Sequence, residues 1–376
     1  MRKGADKNRI FKTTVSVALC AALLVFSATA LADRLPALLS ATEGLSAYSA
    51  MLALPEGGRE YLTIQAQAAF NVDEEEYHIS PAQQSSAQSS QAPKSAPAGS
   101  AVPSSAPQSS VPAGALGRVV SEQIKKETGN RSYANVFLSQ NTKTDVDIKT
   151  ELSKKPDFKM TFSKEPEVLI IHTHATESYL FEEKTSYTAA DKTNNADNAK
   201  NVTALGDIVA ASLKQGGISC IQDKKHYNEP SHAQSYSKAA VAIKDYLKKY
   251  PSIKVVVDLH RDSVNRGNDK LKTVATIKGK KAAQVMLVSG CNEGRVTDFP
   301  NWKSNLRFSL RIQQQMETAY PGLARPVRLV AARYNQNLTK GSILIEMGTE
   351  ANSFDEAKYS AELVGAALAA TLKQMK

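Results

Sequence analysis

Apolar residues along this chain fall into runs of distinct period, and their order sets the first expectations. The earliest run is residues 13–32 (TTVSVALCAALLVFSATALA), which carries no charge. A helix over it would be about 30 Å long, the hydrocarbon thickness of a bilayer. The preceding tail, 1–12, holds Arg2, Lys3, Lys7, Arg9 and Lys12 against one acid, Asp6. That asymmetry keeps the tail in the cytoplasm and sends the rest across the membrane. Two readings stay open: an uncleaved single-pass anchor, or a signal peptide cut after Ala30-Leu31-Ala32.

Residues 33–79 are mildly apolar and suggest no role. In 80–114 almost every residue is Ser, Ala, Pro, Gln or Gly, and Lys94 is the only charge. Such a stretch has too little apolar surface to offset the entropy of ordering, so 80–116 is expected to be a disordered stalk. Residues 117–165 read as a small lead-in subdomain, with strand-like pieces at 135–138 and 144–148.

From 166 to 376 strand and helix periods alternate. Strands are expected at 168–172 (VLIIH), 218–221, 253–259 (IKVVVDL), 272–277, 284–289, 327–332 and 342–346. Helices are expected at 198–215, 233–249, 305–320 and 354–375. In the first of these Val202, Leu205, Ile208, Val209 and Leu213 form one stripe, ended by Gly216-Gly217. Ser353 followed by Glu356 is a capping box for the last one. The expected fold is α/β, a mostly parallel sheet flanked by helices.

Charge and cysteines narrow the chemistry. Forty-seven basic residues against 37 acidic give a net charge of +10, which favours anionic partners. Outside a bacterial membrane these are wall polymers and lipid head groups, so no nucleic-acid partner is expected. A mean hydropathy of −0.33 excludes a polytopic membrane protein. Three cysteines and no CxxC pair exclude a disulfide framework and a zinc finger. A metal site must therefore use His and carboxylates. Cys220 and Cys291 could be a disulfide or two thiols.

Three expected strands end in reactive side chains: His172-Thr173-His174 with Glu177, Asp258-Leu259-His260-Arg261-Asp262, and Ile345-Glu346. Ligands of parallel sheets collect at the carboxyl ends of the strands. A catalytic zinc takes three protein ligands and leaves one position for water, while a separate carboxylate handles the proton. The preferred ligands are His174, Glu177 and His260. His172 then supports them from behind, or binds the metal in place of Glu177. Glu346 is the catalytic carboxylate, and Arg261 is a candidate contact for an anionic substrate group. Each cluster alone also has a structural explanation, as core histidines, a salt-bridge cluster or a helix N-terminal charge. Their common placement at strand ends favours the site.

The stretches EPEVLIIHTHATESY (165–179), DLHRDS (258–263) and the tail from IEMGTEANSF onward (345–372) resemble the stage II sporulation protein P family. The apolar span and the Ser/Pro/Ala-rich stalk resemble it too. That resemblance implies a peptidoglycan hydrolase whose catalytic domain is similar to zinc-dependent N-acetylmuramoyl-L-alanine amidases, with endopeptidase activity in addition. It implies Zn2+ as cofactor, action in forespore engulfment at the septal membrane, and stage II sporulation proteins D and M as partners. By position, His174 and His260 resemble the amidases' zinc histidines, and Glu346 their catalytic glutamate. The amidases' ligand Glu opens the helix after the first His; here that start reads Asn198-Ala199-Lys200-Asn201, which is why Glu177 is preferred. The rival reading is a wall-binding or hydrolase-activating scaffold of the same fold. A degenerate scaffold should have lost one of His174, His260 or Glu346, and all three are present.

Overall fold

The computed structural model describes residues 112–140 and 142–376. The basic tail, the apolar span, residues 33–79 and nearly all of the stalk lie outside them. No helix among the described residues is long and apolar enough to cross a membrane.

The site rests on a sheet of β2 (Arg131–Tyr133), β3 (Val136–Gln140), β4 (Val168–Ile171), β6 (Cys220–Gln222), β7 (Val255–Asp262), β11 (Val285–Gly290), β12 (Val327–Val330) and β13 (Gly341–Thr349). Their order across the sheet is β2-β3-β12-β11-β13-β7-β4-β6. Strands β13, β7, β4 and β6 run parallel, but β11 meets β13 antiparallel and β2 meets β3 antiparallel. The sheet is therefore mixed, a correction to the mostly parallel sheet expected. Local apolar pattern marks a strand but carries no direction.

A smaller sheet contains β1 (Gly117–Glu122), β5 (Ser186–Tyr187), β8 (Asn265–Arg266), β9 (Asp269–Ile277) and β10 (Lys280–Ala283). Strand β1 pairs with β9, and β3 pairs with β12. Residues 117–165 thus supply strands to both sheets. The expected strand at 144–148 is absent. Asp147 instead caps helix α1 (Ile148–Ser153), its carboxylate accepting from Lys149 N at 3.1 Å.

The run VLII of β4 is buried throughout because both faces of the sheet are covered. Val168 and Ile170 join the core beneath helices α2 (Val202–Gln215), α4 (Trp302–Ala319) and α5 (Phe354–Lys373). Leu169 and Ile171 pack against α3 (Ser235–Lys249) with Ala239 and Ile243. Strand β7 divides the same way: Val255, Val257 and Leu259 face the first core, Val256 the second. In β13, Ile343, Ile345 and Met347 join the first core and Leu344 packs with Tyr236 of α3. By the period of two, Asp258, His260 and Glu346 lie on the α3 face. Ser353 and Glu356 form the expected capping box of α5. Cys220 and Cys291 are separate free thiols, the second fully buried.

Candidate functional site

The four predicted residues His174, Glu177, His260 and Glu346 are all buried. His174 sits in the turn after β4, where Glu177 N donates to its carbonyl at 3.0 Å. His260 lies within β7, which extends beyond its expected end to Asp262. Glu346 lies in β13 as the register partner of His260. The turn is fastened to β13 by Tyr179, whose hydroxyl donates to Met347 O at 2.8 Å.

The site is built from two clusters. In one, Glu177 Oε2 lies 3.4 Å from His260 Nδ1 and accepts from Arg261 N at 3.1 Å. Asp258 Oδ1 comes within 2.9 Å of His260 Nε2, but off the line of a hydrogen bond, so Nε2 is buried and unbonded. Asp258 itself accepts from Thr173 N at 2.9 Å and Thr173 Oγ1 at 2.6 Å. Burial works against a charged His260, but Asp258 and Glu177 outweigh it and hold the ring well above the usual histidine range. Burial likewise opposes ionisation of Glu177, and His260 and Arg261 overcome it, holding this carboxyl below its usual range.

In the other cluster, His174 meets His232. Their Nδ1 atoms are 3.1 Å apart and their ring centroids 5.0 Å apart. Burial, the largest influence, pushes His174 down to about 3, so at neutral pH its lone pair is free of a second proton. The ring of His260 stands edge-on to His174, with centroids 5.3 Å apart. Tyr236, on the first turn of α3, packs against His174 at 5.5 Å and His260 at 6.3 Å.

Glu346 Oε2 is buried with no hydrogen-bond partner. Burial and then the neighbouring Asp262 push its carboxyl up to about 8. Asp262 is itself clamped by Arg325 Nη1 at 2.7 Å.

Two predicted residues stand elsewhere. Because β4 ends at Ile171, His172 follows Val168 and Ile170 to the α2 face while His174 turns to the other. His172 Nδ1 lies 3.2 Å from Leu259 O and Nε2 lies 3.0 Å from Gln222 Nε2. Both ring nitrogens are engaged on that face. Arg261 is buried, and its guanidinium donates to Ser178 O and Thr193 O, each at 3.1 Å. It binds the loop after β4. Glu350 is similarly held by Lys270 at 2.7 Å and Thr193 at 2.8 Å.

Among the described residues, no three His, Cys, Asp or Glu side chains already grip one point as a metal cluster. The donor chemistry nevertheless fits a divalent cation: a neutral buried His174, an unbonded His260 Nε2 and flanking carboxylates. A field that favours an imidazolium favours a bound cation in its stead. His232, Tyr236 and Arg325 were not singled out from sequence, and Asp262 only as the end of the 258–262 cluster. His232 lies in the loop stretch EPSHAQSY, where nothing local distinguishes it from a surface histidine.

Solved structures match parts of this chain. The catalytic domain of the CD27L endolysin targeting Clostridia difficile is 15% identical, with a TM-score of 0.34 over 56% of this chain and 97% of that one. The CwlD amidase from Clostridioides difficile, in complex with the GerS lipoprotein, is 13% identical, with a TM-score of 0.35 over 56% and 98%. Stage II sporulation protein P of Bacillus subtilis (strain 168) is 31% identical over 247 residues, which are 59% of this chain and 58% of that protein. The match thus spans somewhat over half the length of that relative. A profile described as Stage II sporulation protein P matches residues 63–369, and the chain belongs to that family.

Proposed function

We propose that this chain is a sporulation peptidoglycan hydrolase that cuts the amide between muramic acid and L-alanine, using zinc held by His174 and His260. The observation that carries the reading is the gathering of two buried histidines and an unbonded buried carboxylate, Glu346, at the strand ends. Bound there, zinc supplies Lewis-acid polarisation of the amide carbonyl and acidification of water.

The chain's own groups do the rest. Glu177 accepts from the Nδ1–H of His260, which leaves Nε2 to face the site. Glu346 removes the proton from the attacking water and returns it to the leaving amine. Its raised affinity for protons suits both halves of that transfer, since a carboxylate at the ordinary value is a weak base. In the same proposal, the 13–32 span anchors the enzyme in the septal or forespore-engulfing membrane, and stage II sporulation proteins D and M are its partners. Family membership supports these last points.

The test is digestion of purified peptidoglycan by the full chain with zinc, read by mass spectrometry. Released stem peptides and unsubstituted glycan, lost with chelator and in Glu346→Gln, are the expected products. Cut stem peptides with the muramyl amide intact would make it an endopeptidase. Wall binding without products would leave the scaffold reading.

A further inference from the structure

We propose that His232 is a metal ligand of this site, paired with His174 through their Nδ1 atoms, and that Glu177 serves as the orienting partner of His260 and not as a ligand. This rests on the zinc hydrolase reading above and identifies its third protein ligand.

The spacing is the first argument. Two nitrogens bound at 2.0–2.1 Å in a tetrahedral zinc site lie roughly 3.3 Å apart. The Nδ1 atoms of His174 and His232 are 3.1 Å apart. His232 is also a built position, although it lies on an exposed turn. That turn, His232–Gln234, is a 3-10 helix capped by Ser231. Ahead of it, Asn228 Nδ2 donates to Thr176 Oγ1 at 2.6 Å, tying the loop to the turn that carries His174. Behind it, Ser235 Oγ donates to His232 O at 2.6 Å, and Tyr236 packs on both His174 and His260. The ring is thus held over His174 from both sides along the chain.

The second argument is the commitment of Glu177. Its Oε2 serves Arg261 N and His260 Nδ1, and its Oε1 lies 3.9 Å from Arg261 Nη1. A carboxylate so placed behaves as the outer partner that fixes a ligand histidine's tautomer. His260 then presents Nε2, the nitrogen without a hydrogen bond. The resulting donor set is His174, His232 and His260, three imidazoles with a fourth position open to water.

The test measures metal binding directly. Full chain is stripped and reloaded, zinc per chain is counted by elemental analysis, and affinity is found by competition with a chromophoric chelator. Wild type is expected to bind one zinc. His232→Ala should weaken binding by more than 100-fold, whereas Glu177→Gln should weaken it about 10–100-fold, the range for an outer partner. His232→Cys should restore binding, and its cobalt form should show a thiolate charge-transfer band. That band reports a direct bond that a merely structural role would not produce. Circular dichroism of the variants confirms folding. Unchanged zinc affinity in His232→Ala, or a cobalt His232→Cys spectrum without the thiolate band, would overturn the assignment. So would failure of wild type to bind zinc. Zinc binding as described without release of wall fragments would instead sink the hydrolase reading and leave the ligand assignment standing.

Discussion

Glu346 of β13 and His260 of β7 are register partners in neighbouring parallel strands. Partners in a parallel ladder point their side chains to the same face, with strands about 4.8 Å apart. Each brings a buried atom without a hydrogen bond, Oε2 of Glu346 and Nε2 of His260. A fold spends stability to bury such atoms, and on the proposed reading this pair faces the reacting groups.

Glu346→Gln keeps the shape and removes the proposed base. Turnover on peptidoglycan should fall roughly 10²–10⁴-fold with wall binding retained. The same variant reports on pH. In the metal-free fold Glu346 holds its proton up to about 8, while an unfolded glutamate releases it near 4.3. The folded state therefore binds more protons across that window, and its stability falls as pH rises through it. Melting temperatures of metal-free Glu346→Gln should lack that decline, and an unchanged pH slope would remove Glu346 as its source.

Arg261→Ala should act on the loop and not on substrate affinity alone. Its two bonds to Ser178 O and Thr193 O and its contact with Glu177 are lost together. Removing buried charge-assisted bonds costs about 1.5–3 kcal/mol each. Chemical denaturation should show a loss in that range or beyond, and Arg261→Lys should not recover it, because the guanidinium fork is what reaches both carbonyls. A rise in KM with unchanged stability would restore the substrate-contact role.

Lys272 is almost fully buried, and its ammonium lies 2.7 Å from Glu356 Oε1. Lys272→Met should cost about 3–5 kcal/mol by leaving that carboxylate uncompensated. Adding Glu356→Gln keeps a capping-box residue for α5 and removes the stranded charge. The double variant should be more stable than Lys272→Met alone; equal stabilities would mean that the charge is not the cause.

Gly206 in α2 lies under His172. A Cβ there would meet His172 Nε2 at 2.7 Å and Gln222 Nε2 at 2.3 Å. Gly206→Ala should cost about 1–3 kcal/mol through overpacking. Because His172 is on the α2 face, zinc stoichiometry should stay at one per chain. Loss of zinc would return His172 to the ligand set.

Much of this protein was already written in its local pattern. The runs VLII and VVV are apolar because both faces of their strands are covered, which makes them legible as strands from sequence. The helices at 202–215 and 354–373 announce themselves by stripe and cap. The motifs at the ends of β4 and β7 and within β13 named His174, Glu177, His260 and Glu346, since reactive residues at strand ends are local facts. Other features depended on contacts between distant segments. Whether β11 meets β13 antiparallel is a matter of pairing, which no single strand encodes. The separation of His172 from His174 turned on β4 ending at Ile171: residues two apart share a face only while the strand lasts, and the turn that follows carries His174 to the other face. Arg261 was claimed by two loop carbonyls that only the folded chain brings near it. His232, 58 residues beyond His174, reaches it because α3 covers the face that carries His260. Period and composition decide which residues are buried and which can react; proximity across the sheet decides which of them meet.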